Sequence, residues 1–139
     1  MNDCLFCKIV AKEIPAAVIY EDAAALAILD IHPKSWGHAV ILPKRHAPTI
    51  LDMPEGELGP LFTAVSKIVA AEQKALHPDG FTIGVNHGEA AGQAIPHLHI
   101  HVLPRFRNDG GGSIHTIVDK PGLEPIEETQ KKIIAAFKG

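Results

Sequence analysis

Between residues 97 and 102 the chain alternates strictly, with His97, His99 and His101 at odd positions and Leu98, Ile100 and Val102 at even ones. A period of two predicts an extended strand with one face in the core, here the aliphatic face. The strand spans Ile95 to Pro104. Upstream, Ala17–Tyr20 and Ala24–Leu29 read as strands joined at Glu21-Asp22, His38–Leu42 as a third closed by Pro43, and Phe81–Asn86 as a fourth. Leu58, Leu61, Phe62, Val65, Ile68, Val69 and Leu76 recur at helical spacing and predict the main helix. Asp52 followed by Glu55 reads as its capping box. Pro60 then requires either that the regular helix begin near Gly59 or that it kink there, and Pro78-Asp79-Gly80 ends it.

Two further segments are helical. Lys8–Glu13 makes a turn that Pro15 ends. Glu127–Phe137 carries acids first and lysines late, as the helix dipole favours. Asp30–Gly37, His87–Gly92 and the triple-glycine stretch Asn108–Ser113 are loops by composition. The sum is an α+β fold: a five-stranded, mostly antiparallel sheet with the main helix packed on it and a helix at the C-terminal end.

A chain of 139 residues suffices for one domain with a real core. Its 46% hydrophobic and 21% charged residues are those of a globular protein. A net charge of −3 argues against broad nucleic-acid or membrane binding, which wants a basic face. The longest apolar run, Ala23–Leu29, is far too short for a membrane span. Met1-Asn2-Asp3-Cys4 has neither the basic start nor the apolar stretch of a signal peptide, so the expected compartment is the cytoplasm, where thiols stay reduced.

The histidine triplet carries the chemistry. On an extended chain the three imidazoles share a face, neighbours about 6.6 Å apart. Lys, Glu or Thr would build a wet face without titrating near neutrality, so three aligned histidines point to a site. Either the central ring is a nucleophile flanked by two that orient it and handle protons, or the rings jointly hold a transition metal. Gly92-Gln93, just before the strand, offers a turn whose N–H groups can approach an anion.

Cys4-x-x-Cys7 has three readings: a redox pair, two buried thiols, or half of a zinc site. A redox pair wants a preceding strand, which so early a position lacks. The spacing lets two thiolates reach one tetrahedral metal, which favours zinc. The other two ligands must come from afar, and the sequence alone nominates His32, His38, His46, His87, His97 or His115 equally.

The His97–Leu103 pattern, with Gly92-Gln93 before it, resembles the motif of the histidine triad (HIT) family of nucleotide hydrolases and transferases. The likeness runs from Cys4 to Arg105 through Lys12–Ala16, Tyr20-Glu21-Asp22, Leu29-Asp30-Ile31-x-Pro33, Leu42-Pro43-Lys44-x-His46 and Asn86-x-Gly88. It is greatest to the Hint-like bacterial branch with an N-terminal C-x-x-C. Residues 106–139 lie outside it as a C-terminal loop and helix, and a single HIT domain over 1–139 is expected.

That resemblance implies a HIT-like fold and hydrolysis at the α-phosphorus of nucleoside phosphoramidates or related nucleotides. It implies His99 as the nucleophile and His101 as its catalytic neighbour. Leu5, Phe6, Ile9, Ile28, Leu29 and Ile31, plain core by their residue types, become a purine pocket. Asp30 accepts from the ribose hydroxyls, where a turn-forming Asx is the bland alternative. Asn86, Gly92, Gln93 and Ala94 fall on the phosphate and leaving-group side. Ala94 departs from the pattern, which has Ser or Thr there. The resemblance also implies structural zinc on Cys4, Cys7, His46 and His97, and a homodimer. Dinucleoside polyphosphate hydrolysis, or nucleotide binding with little turnover, are the alternatives.

Overall fold

The computed structural model describes residues 3–139; Met1 and Asn2, part of the opening read against a signal peptide, lie outside the described residues. The chain divides into two units, one ending at Asp109 and one running from Gly110 to Gly139.

The first unit is built on strands β1 (Val18–Glu21), β2 (Ala25–Leu29), β3 (Ala39–Pro43), β4 (Gly80–Gly84) and β5 (Ile100–Arg105). They form one sheet in the order β1-β2-β3-β5-β4, with every neighbouring pair antiparallel. The continuous apolar runs of β2 and β3 place them in mid-sheet, covered on both faces. Ala25, Ala27, Ala39, Ile41, Ile100 and Val102 face the main helix α2 (Glu55–Leu76) through Leu61, Val65 and Ile68. Leu26, Ile28, Val40 and Leu42 face the other way, onto Phe6 and Ile9 of α1 (Leu5–Val10). A six-residue helix is about 9 Å long, whereas five strands span about 19 Å from edge to edge. The α1 face of the sheet is therefore covered only in part.

Several boundaries differ from the expected ones. The first helix starts at Leu5 rather than Lys8, because Cys4 caps it: its Sγ accepts from the Cys7 N–H at 3.3 Å. The capping box lies one turn earlier. Thr49 and Asp52 close it around a short 3-10 turn, Ile50–Asp52, and α2 begins after Pro54 with no side-chain cap. Asp52 is engaged with the Thr49 N–H and hydroxyl, so it is not the cap of α2. The helix then runs through Pro60, leaving the Gly56 carbonyl without its i+4 donor.

The second unit holds α3 (Ile126–Lys138), preceded by Pro125 and opened by Glu127 and Glu128. Thr129 and Lys132 both bond to Glu124, which ties the first turns to the approach segment. No helix among the described residues is long and apolar enough to cross a membrane.

Candidate active site and metal cluster

The regular strand β5 begins at Ile100, so of the three histidines only His101 lies within it. Pro43 explains the late start. It has no N–H to continue the β3–β5 ladder, and the Leu98 N–H turns to the Ala47 carbonyl at 2.7 Å instead. The alternation nevertheless holds: Leu98, Ile100 and Val102 enter the core under α2. Val40 pairs with His101, which puts the histidines on the face that α1 covers in part.

Each ring has its own set of partners. His99, 8% exposed, directs Nδ1 at the His97 carbonyl, 2.8 Å away. A carbonyl only accepts, so His99 carries its proton on Nδ1 and keeps a lone pair on Nε2. Phe6 meets the His99 ring edge-on at 5.0 Å, and His101 lies 5.0 Å beyond in the same relation.

His101 is ordered by a chain of donors. The Lys34 N–H donates to His38 Nδ1 at 3.1 Å, and His38 Nε2 lies 2.9 Å from His101 Nδ1. Burial is the first cause pushing His38 down, with Lys34 adding to it and Asp30 opposing. Burial also pushes His101 down to about 4, helped by His99 and His38. Both rings are thus neutral near pH 7. Neutral His38 must hold its proton on Nε2 and donate it to His101, whose own proton then sits on Nε2.

His99 and His101 line a cavity of about 490 Å³ on the open part of the α1 face. Phe6, Ile28, Asp30, Ile31, Asn86, Gly92 and Ala94 line it with them, as do Leu5, Ile9 and Leu29. Ile14, Pro15, Ala16, Val40 and Ile95 complete the apolar wall, and His32 joins Asp30 and Ile31. Asp30 Oδ1 accepts from the His32 N–H at 2.8 Å, the Asx turn that stood as the bland alternative to a ribose contact, while Oδ2 lies 3.6 Å from His38 Nε2.

Among the expected catalytic and nucleotide-side residues, Gln93 is the one that does not line the cavity. Its Oε1 accepts from the Gly88 N–H, and its Nε2 donates to the Pro48 and Ile95 carbonyls. The amide holds the 88–95 loop in shape. The backbone N–H groups of Gly92 and Gln93 are likewise committed, to Glu89 and Gly88. Gly92 sits at φ +102°, where glycine is the favoured residue. Of the three N–H groups in Gly92–Ala94, that of Ala94 makes no hydrogen bond among the described residues.

His97 belongs to a different cluster. It is fully buried, with Nδ1 3.4 Å from Cys4 Sγ and 3.6 Å from Cys7 Sγ. Cys7 Sγ lies 3.2 Å from His46 Nδ1, and the four donor atoms all fall within 4.8 Å of one another. Ligands of a tetrahedral Cys₂His₂ zinc stand about 3.6 Å apart, from bond lengths of about 2.3 and 2.05 Å. The cluster has that size. His97 Nε2 donates to the Pro43 carbonyl at 2.9 Å, which frees Nδ1 as an acceptor and supplies the outer-shell partner that metal-binding histidines have. Burial, with the Cys4 side chain, pushes the Cys7 thiol up to about 11, so an uncharged environment favours the thiol and only a cation would favour thiolate. His97, His99 and His101 thus point to three different sets of partners and do not converge on one metal.

The residues that sequence reasoning missed are His38, considered only as a possible metal ligand, and the 14–16 and Ile95 wall of the cavity. The Leu42-Pro43-Lys44-x-His46 match marked β3 as part of a pattern, but only the strand register puts His38 against His101.

A family profile described as the HIT domain matches residues 11–108. An adenylylsulfatase of Arabidopsis thaliana is 45% identical over 108 residues, covering 78% of this chain and 55% of that protein. An adenosine 5'-monophosphoramidase of Schizosaccharomyces pombe is 35% identical, covering 78% of each chain. The crystal structure of a HIT family protein from Bacillus anthracis superposes with a TM-score of 0.86 at 34% identity, covering 99% of this chain and 96% of that one.

Proposed function

The chain belongs to the HIT domain family, and from that premise we propose that it is a nucleotide hydrolase working through a nucleotidyl-histidine on His99. One observation carries the reading: the His97 carbonyl holds the His99 proton on Nδ1, which leaves an Nε2 lone pair on a ring that lines the cavity. Two relatives named for cleaving adenylyl sulfate and adenosine phosphoramidate support attack at an adenylyl phosphorus.

In the first step His99 Nε2 bonds to the α-phosphorus and the bond to the leaving group breaks. An uncharged imidazole approaches the phosphate anion without the repulsion a carboxylate would meet. His101 offers an Nε2–H to a phosphoryl or leaving-group oxygen or nitrogen, and the Ala94 N–H is a second donor. Being neutral already, His101 stabilises charge by hydrogen bonding and does not surrender its proton. Sulfate and phosphate leave without protonation; an amine takes up one proton from solvent as its P–N bond breaks. Water then attacks phosphorus, the P–N bond to His99 breaks, and the proton lost by water returns to solvent.

The apolar wall from Phe6 to Ile28 suits a purine, and Asp30 Oδ2 suits the ribose hydroxyls. Zinc on Cys4, Cys7, His46 and His97 would be structural, since a Cys₂His₂ set leaves no open position, and bound there it would tie α1 to the catalytic segment. A homodimer in the cytoplasm completes the proposal. The test is a fluorogenic adenosine phosphoramidate run beside adenylyl sulfate and diadenosine polyphosphates. Turnover of the first two, absent in His99→Ala, is expected. Nucleotide binding without turnover of any of them would overturn the enzyme reading.

A further inference from the structure

Glu72 has no part in the chemistry above, and its position is unusual. It lies on the inward stripe of α2, one turn after Ile68, and is only 6% exposed. Its Oε1 is buried with no hydrogen-bond partner among the described residues. Burial alone pushes this carboxyl up to about 7. A leucine there would extend the core, whereas a buried carboxyl without a partner opposes folding.

Beside Glu72 opens a second cavity of about 290 Å³. Ala71 and Ala75 of α2 keep its floor low, and Ile19 and Leu29 form an apolar side. The remaining wall is the indole of Trp36, 65% exposed and stacked on Phe106 with centroids 5.9 Å apart. Gly37 makes this approach possible. It sits at φ +89°, and a Cβ there would overlap Leu76 Cδ1 and Glu72 Oε2, so the loop carrying Trp36 presses directly on the helix.

We propose that this groove is a second ligand site, distinct from the nucleotide cavity, and that it takes a small primary arylalkylammonium ion. An ammonium group brings three N–H donors and the one charge that restores the ionised form of a buried carboxyl. A neutral donor would supply a hydrogen bond but leave that ionisation unfavourable. Indole beside the carboxyl attracts the same cation through its face, and the alanine floor and aliphatic side accept a flat apolar body. The volume lies at the small end for ligand pockets, which limits the occupant to a compact molecule.

Trp36 is the only tryptophan in the chain, so its emission reports on the groove directly. The full chain is titrated with 2-phenylethylammonium while Trp36 is excited where a phenyl ring does not absorb. A saturable change in emission is expected. The uncharged 2-phenylethanol should require at least about tenfold more, the difference made by a charge-assisted hydrogen bond. Glu72→Gln keeps the shape and removes the charge, and should weaken ammonium binding about tenfold while leaving the ligand-free spectrum unchanged. Ala75→Leu, at an exposed position, fills the groove and should abolish binding. Unsaturable quenching, equal affinity for the alcohol, unweakened binding by either variant, or an emission change on simple dilution (a second copy seated in the groove) would each overturn the proposal.

Discussion

His38 Nε2 lies 2.9 Å from His101 Nδ1, and the Lys34 N–H on the far side of His38 decides that His38 is the donor. The tautomer of His101 is therefore set by a backbone amide five residues before β3 begins. His38→Leu removes the donor and lets the His101 proton occupy either nitrogen. About tenfold of kcat should go, the worth of one hydrogen bond, with KM nearly unchanged. His38→Gln, whose amide nitrogen can still donate, should regain most of it. Nitrogen NMR of His101 checks the relation without any assay: the proton moves off Nε2 in part in the Leu variant only.

The cluster of Cys4, Cys7, His46 and His97 makes its own prediction. Purified chain should carry about one zinc, and Cys4→Ala or Cys7→Ala should lose it and melt at lower temperature. Atomic absorption read beside thermal unfolding checks both. Unchanged metal content in either variant removes the assignment.

Glu72 sets a pH dependence of stability. Its folded value, about 7, stands above its ordinary 4.5, so the folded chain binds the extra proton between them. Stability is fully present below about 4.5 and is lost as pH rises through about 7, by on the order of 3 kcal/mol. Glu72→Gln should flatten that limb of a urea-midpoint series; a parallel slope in the variant would assign the loss elsewhere.

Ala94 leaves the cavity rim without a hydroxyl. Ala94→Ser adds a donor and acceptor beside the leaving group and should raise turnover of amine-leaving substrates over sulfate-leaving ones, by up to about tenfold. Equal gains on both would show that the hydroxyl acts on the phosphoryl oxygens.

The fold was largely legible because β2 and β3 are apolar throughout and α2 has a long helical stripe. Its boundaries were less so. Cysteine is not an expected helix cap, yet Cys4 starts α1 three residues early, and Thr49 claims Asp52 before α2 can. The site divides the same way. Local pattern exposed the histidine triplet, and the matched segments pointed to Phe6, Ile28, Asp30 and Ile31, which line one cavity with His99. His38 and Glu72 were illegible because their meaning lies in distant partners: His38 needs the β3–β5 register, and Glu72 needs the loop that Gly37 presses onto the helix. Gln93 carried the opposite lesson, since a residue in a phosphate-side motif turns its amide to the backbone.

Everything in the mechanism depends on a covalent bond between His99 Nε2 and phosphorus. Rapid acid-free quenching of the chain during turnover of an adenosine phosphoramidate labelled at phosphorus, followed by peptide mass analysis, reads that bond directly. The predicted result is an adenylyl group on the peptide containing His99, absent in His99→Ala and chased off by water. Product formed at the full rate with that peptide unlabelled at every time point would contradict it.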